Sequence, residues 1–156
     1  MFIAYGDSRV GLARKINEDS ISDCTGPFFI LADGMGGYLG GKIASNLAVE
    51  SAENYLKEIP LPDISEEILK ESILYANQMI LERKSEDQEL SSMGTTMISA
   101  VIRDGCLSWA HVGDSRLYIY VNQKLQQLTT DHSFVMELLA KGKITEQEML
   151  VHPRKN

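Results

Sequence analysis

The chain has 156 residues, 44 % hydrophobic and 24 % charged, which is the size and balance of one globular domain. Its formal charge of −7 and pI near 4.9 argue against a nucleic-acid backbone or an anionic membrane as partner. Two cysteines, Cys24 and Cys106, make no disulfide framework, and no signal-like or bilayer-length apolar run occurs, so a reducing cytoplasm is the expected compartment.

Phe2-Ile3-Ala4-Tyr5 reads as a short strand, and a charge-dense stretch, Arg14 to Asp19, follows. Ser20 to Cys24 and Phe28 to Ala32 are strand-like runs joined by the Gly26-Pro27 turn, so they are expected to pair as a hairpin. That pairing brings Glu18 and Asp19 to the edge of the sheet that holds Asp33. Five apolar residues lead directly into Asp33-Gly34-Met35-Gly36-Gly37. This places Asp33 at the mouth of a buried strand, beside backbone that a ligand can approach closely.

From Gly41 the apolar period becomes helical. Ile43/Ala44, Leu47/Ala48, Ser51/Ala52 and Tyr55/Leu56 predict a helix over 41–57, stopped by Pro60-Leu61-Pro62. Asp63 with Glu66 reads as the capping box of a second helix over 64–84, with Ile68/Leu69, Ser72/Ile73, Ala76 and Met79/Ile80 on its inner face. Residues 85–93 read as a polar loop. A four-strand meander is expected next: Thr96–Ile102, Cys106–Val112, Leu117–Val121 and Lys124–Thr129, with Asp104-Gly105 as a hairpin turn. A helix over 133–141 ending at Gly142, and a short one capped by Thr145 and Glu148, complete the pattern.

Three constellations could carry chemistry. Glu18, Asp33 and Asp114 all fall at strand-to-turn junctions, and hard cations such as Mg²⁺ and Mn²⁺ take oxygen ligands of this kind. Unrelated turn carboxylates would look the same. Arg14 lies four residues before Glu18 and could hold a phosphate in a bidentate fork; its plain alternative is a surface arginine. Arg116 is read as a salt bridge or hydrogen bonds within its turn. Gly36, Gly41 and Lys42 fit G-x-x-x-x-G-K, but Ile43 stands where a nucleotide loop needs Ser or Thr for Mg²⁺. His111 is read as a strand residue and His132 as part of a helix cap, while His152 has no assigned role. No nucleophilic Ser-His-Asp or Cys-His arrangement stands out.

Arg14-x-x-Asn17-Glu18-Asp19, Ala32-Asp33-Gly34-Met35-Gly36-Gly37, Gly94-Thr95-Thr96, Val112-Gly113-Asp114-Ser115-Arg116 and Thr129-x-Asp131-His132-Ser133 occur in this order along the chain. Together they closely resemble the metal-dependent protein phosphatases of the PPM (PP2C-like) family in its bacterial form. The resemblance implies an α+β fold of two stacked, mainly antiparallel sheets flanked by helices. It implies an enzyme, a protein serine/threonine phosphatase that hydrolyses phosphoserine and phosphothreonine with a two-metal-activated water and no phosphoenzyme.

By similarity, Asp33 bridges two Mn²⁺ or Mg²⁺ ions and the Gly34 carbonyl ligates one. Glu18 binds metal directly or through water, Asp19 supports these ligands, Arg14 holds the phosphate, and Asp114 contacts a third, weaker ion. Met35 stands where relatives from higher organisms carry a histidine proposed as general acid. Partners implied are phosphorylated proteins, substrates of a bacterial Ser/Thr kinase. The resemblance covers the N-terminal two-thirds of the family's domain across residues 1–156, with about 143–156 as its flap. Two further aspartates of the family's metal centre have no counterpart here. The chain alone is therefore expected to be weakly active or inactive. The alternative reading is a non-catalytic phosphate- or metal-binding module of the same fold.

Overall fold

The structure is a computed structural model that describes residues 2–12, 14–37, 39–132, 138–139, 141–145 and 147–148. It divides into two compact units, Met1–His111 and Val112–Asn156.

In the first unit, β1 (Asp19–Ile21) and β2 (Phe28–Met35) form the expected antiparallel hairpin, with Asp19 opposite Asp33, Ser20 opposite Ala32 and Ile21 opposite Leu31. The sheet continues from β2 to β4 (Met97–Arg103) and β5 (Cys106–Val112), while the two-residue β3 (Gly94–Thr95) pairs with the end of β2. Alternation along β2 is clean. Ile30, Ala32 and Gly34 are buried, and Leu31, Asp33 and Met35 face outward.

Two helices cover the inner face. α1 (Gly40–Lys57) buries Ala44, Ala48, Ala52 and Leu56, the stripe predicted from its period. α2 (Glu66–Glu86) buries Leu69, Ser72, Ala76 and Ile80 against the same core. The core also includes Ile30, Ala32, Ile64, Met93, Met97 and Val101. Pro60, Leu61 and Pro62 stop α1 as expected, with a single 3₁₀ turn at Leu61–Asp63. Arg103, at the end of β4, ties this connection down: its Nη1 donates to the carbonyls of Leu61 (3.2 Å), Ile64 (3.1 Å) and Pro62.

Several expectations are corrected. Phe2–Tyr5 is no strand; Ile3 and Tyr5 are 97 % and 88 % exposed, and Phe2 lies edge-on to Phe29 with ring centroids 5.8 Å apart. Strand geometry needs a ladder partner, and this segment has none among the described strands. The N-cap of α2 is Ser65, whose hydroxyl accepts from Ile68 N at 3.3 Å; Asp63 is consumed by the preceding 3₁₀ turn. Residues 85–93 are not a plain loop. α2 runs to Glu86, a 3₁₀ turn follows at Gln88–Leu90, and Leu90 and Met93 are buried. The polar residues there hid two apolar anchors.

The meander divides as well. β4 and β5 belong to the first sheet, joined through Asp104 (φ 51°) and Gly105 (φ 76°), as a type I′ turn requires. In the second unit β6 (Tyr118–Val121) and β7 (Lys124–Gln127) form a separate antiparallel ribbon, turning at Asn122 and Gln123, both at positive φ.

Near the end of the described chain, Gly142 N donates to Leu139 O (2.9 Å) and Lys143 N to Leu138 O (2.8 Å), the paired bonds of a Schellman helix end at the glycine the sequence indicated. The expected start of that helix, at Ser133, lies outside the described residues. Thr145 and Glu148 form a reciprocal capping box. Glu148 Oε2 accepts from Thr145 N at 2.8 Å, and Thr145 Oγ1 accepts from Glu148 N at 3.2 Å. Hydrogen bonds from Thr145 hold the Glu148 carboxyl below the usual glutamate range. Most of the expected flap, and His152 with it, lies outside the described residues.

The two faces of α2 give a direct test. Leu69 is fully buried and Leu74 is 57 % exposed. Leu69→Ala is expected to cost about 2–5 kcal/mol in denaturant unfolding, whereas Leu74→Ala stays within about 0.5 kcal/mol of the parent.

Candidate metal and phosphate site

The site begins with the way β2 ends. The strand does not stop before Asp33, as the glycines suggested, but runs on to Met35. Added main-chain partners extend it. Gly34 pairs with Thr95 and Met35 with Gly94. Thr96 clamps Asp33 itself: Thr96 N donates to Asp33 O at 2.9 Å, and Asp33 N donates to Thr96 Oγ1 at 3.1 Å. Asp33 is therefore a strand residue held on both sides, on the outward face of β2.

Asp19 is its direct cross-strand neighbour, on the same face. The preceding turn is shaped by Asn17, whose Oδ1 accepts from Asp19 N at 3.0 Å while its Nδ2 donates to Ser8 Oγ at 2.6 Å. Glu18 comes one residue before Asp19, so its side chain emerges on the helix side of the sheet end. An ideal Cβ on Gly41, in the first turn of α1, would stand 2.3 Å from Glu18 Oε1. Arg14 Nη1 reaches Glu18 Oε2 at 3.3 Å with the arginine side chain 77 % exposed.

These groups share one pocket of about 200 Å³, lined by Arg9, Arg14, Asn17, Glu18, Asp19, Asp33 and Gly34, with Val10 and Ile16. Arg14, Glu18, Asp19, Asp33 and Gly34 thus line one pocket. Arg9, paired with Asp7 at 2.8 Å, and the clamp residue Thr96 were not singled out from the sequence. Arg9 carries no signal beyond its charge. Thr96 stood inside the Gly94-Thr95-Thr96 motif.

Asp114 belongs to the second unit, on an exposed loop. That loop is tied to the segment after β7. Arg116 pairs with Asp131 through Nη2–Oδ2 at 2.6 Å and Nε–Oδ1 at 3.0 Å, and His132 N donates to Gly113 O at 2.8 Å. Arg116 does form a salt bridge, but with a partner fifteen residues away rather than within its turn. The Asp131 carboxylate, with Tyr118 adding, raises the pKa of the guanidinium. His111 lies within β5, as read.

The donor set in the pocket fits a hard divalent cation. All its donors are oxygen, and like charges directly opposite one another on a sheet face destabilise it unless a cation intervenes. Mg²⁺ and Mn²⁺ characteristically use one or two protein carboxylates and keep several waters. Among the described residues, no group of three or more His, Cys, Asp or Glu is placed to hold a metal ion by itself. An open, partly hydrated ion is what this set can hold.

The conserved pattern of the family described as protein phosphatase 2C matches residues 13–142. The serine/threonine phosphatase stp of Listeria welshimeri is 41 % identical over 133 residues, which cover 83 % of this chain and 53 % of the relative. The protein phosphatase PhpP of Streptococcus pneumoniae serotype 2 is 35 % identical over 153 residues, 94 % of this chain and 62 % of the relative. Among solved structures, the catalytic domain of the serine threonine protein phosphatase PstP in complex with two manganese ions superposes with a TM-score of 0.78 at 34 % identity. That match covers 91 % of this chain and 61 % of the other. The chain thus spans 53 to 62 % of the length of these three proteins. The α+β fold with antiparallel sheets agrees with the expectation.

Close approach of backbones at this site predicts a sharp glycine requirement. An ideal Cβ on Gly34 would fall 1.9 Å from Gly41 O and 2.8 Å from Glu18 O, both main-chain atoms. Gly34→Ala is expected to cost about 3 kcal/mol or more, the upper end of overpacking penalties. Gly26→Ala, with nothing within 4 Å of its added carbon, should unfold within about 0.5 kcal/mol of the parent in the same urea titration.

Proposed function

The chain belongs to the protein phosphatase 2C family, and from that premise we propose that it is the N-terminal two-thirds of a phosphatase domain that hydrolyses phosphoserine and phosphothreonine in proteins. The observation that carries this reading is the direct opposition of Asp19 and Asp33 on one sheet face, in a pocket also lined by Glu18 and Arg14.

In this reading Asp33 would hold the Mn²⁺ or Mg²⁺ ions, two of them by similarity, and Glu18 and the Gly34 carbonyl would complete what this chain offers them. Asp19 supports that shell from the neighbouring strand. When bound, the ions supply charge neutralisation at the phosphoryl oxygens and lower the pKa of the attacking water. Arg14 presents its guanidinium fork to the phosphoryl oxygens, and its contact with Glu18 keeps it beside the pocket. Met35 carries no proton to donate, so protonation of the leaving alkoxide falls to water. Asp114 would contribute to holding a third, weaker ion. The substrates are phosphoproteins generated in the cytoplasm by a Ser/Thr kinase. Because the chain covers 53 % of its Listeria relative, it is proposed to be weakly active or inactive by itself, its metal ligands being only part of the set.

Turnover of a phosphothreonine peptide with Mn²⁺ tests both parts. A longer form extending over the relatives' full length should turn over substrate, lose activity on chelation, and lose it on Asp33→Asn. Asp19→Asn should lower activity about 10–100-fold, as for residues that orient metal ligands. The 156-residue form should be near background. Strong Asp33-dependent turnover by the short form would overturn its proposed inactivity, and Asp33-independent turnover by the long form would overturn the mechanism.

A further inference from the structure

Lys42, the lysine of the G-x-x-x-x-G-K pattern, does not point to a nucleotide site. Its Nζ donates to the main-chain carbonyl of Asp19 at 2.9 Å and to Ser20 Oγ at 3.3 Å. One helical turn on, fully buried Ser45 contacts the carbonyl of Glu18 through its hydroxyl at 2.5 Å. Residues three apart on a helix share a face. Two side chains of α1 thus take hold of two consecutive carbonyls, those of the acidic residues that line the pocket. Ser20 Oγ, within 2.8 Å of Ser45 Oγ and 2.6 Å of Asn46 Oδ1, closes the network. Among the described residues, no buried side-chain nitrogen or oxygen is left without a partner. Gly34 N also donates to Glu18 O, at 3.2 Å. The Glu18 carbonyl is therefore fixed from β2 and from α1 together.

We propose that Lys42 and Ser45 are positioning residues for the metal centre: by gripping the carbonyls of Asp19 and Glu18 from α1, they set the direction in which both carboxylates enter the pocket beside Asp33. The inference rests on the reading of that pocket as the metal centre. A second role of Lys42 runs the other way. Its ammonium group is a positive charge beside a cation site, so on charge alone its removal would tighten Mn²⁺ binding. The two roles predict opposite signs, and that separates them.

The experiment is a Mn²⁺ titration of the chain, followed by loss of the free-ion EPR signal, with metal-free thermal unfolding measured in parallel. Lys42→Met and Ser45→Ala are each expected to weaken Mn²⁺ binding at least tenfold at a temperature where both variants are folded. Lys42→Arg, which keeps both charge and donor, should bind within about threefold of the parent. Tighter binding by Lys42→Met, or parental affinity in either Lys42→Met or Ser45→Ala, overturns the inference while leaving the metal centre intact. Asp33→Asn is the separate control. Parental Mn²⁺ affinity in that variant would remove the metal-centre reading and this inference with it.

Discussion

How closely the first turn of α1 can approach the end of β2 governs this part of the molecule. The contact is made by two glycines, and a carbon added to Gly34 would overlap the carbonyl of Gly41 at 1.9 Å. Any side chain there would push the helix outward. Lys42 and Ser45 would then fall short of the carbonyls they hold, and Glu18 would lose the wall against which its carboxylate rests. The same closeness continues along the helix, whose buried stripe is largely alanine: Ala44, Ala48 and Ala52 are completely covered. Small residues set the helix–sheet spacing, and that spacing sets the geometry at the sheet end.

The acidic residues placed by this packing are a cost to the metal-free fold. Asp19 and Asp33 face each other across an antiparallel pair, where like charges repel. The Arg14–Glu18 pair offsets little of this, since exposed ion pairs contribute about 0–1 kcal/mol. Main-chain bonds hold the arrangement instead. Thr96 grips Asp33 from β3's side of the sheet, Asn17 shapes the turn before Asp19, and α1 grips the Glu18 and Asp19 carbonyls. A bound cation would convert the repulsion into stabilisation through mass action on the folded state.

The second unit follows the same logic on a smaller scale. Its Gly113–Arg116 loop has no regular structure of its own, yet Arg116–Asp131 and the His132–Gly113 bond fix both of its ends. An exposed carboxylate at Asp114 is thereby presented on a braced loop.

The sequence by itself determined the elements whose signal is local. The helical stripe of α1, the β1–β2 hairpin, the Asp104-Gly105 turn, the glycine helix end at 142 and the Thr145–Glu148 box all rest on residues within a few positions of one another, and all appear as read. The grouping of Arg14, Glu18, Asp19, Asp33 and Gly34 was legible for the same reason, since one hairpin carries them. What only the tertiary structure decided depends on partners far along the chain. β2 runs through Asp33 and Gly34 to Met35 because β3, some sixty residues later, supplies main-chain bonds. Ser65 rather than Asp63 caps α2 because a proline-led turn claims the aspartate first. Phe2–Tyr5 stays irregular because no strand among those described lies alongside it. In the linear pattern Lys42 fitted a nucleotide loop that Ile43 already argued against. It became a backbone clamp because two glycines let α1 settle against the strand that carries Asp19.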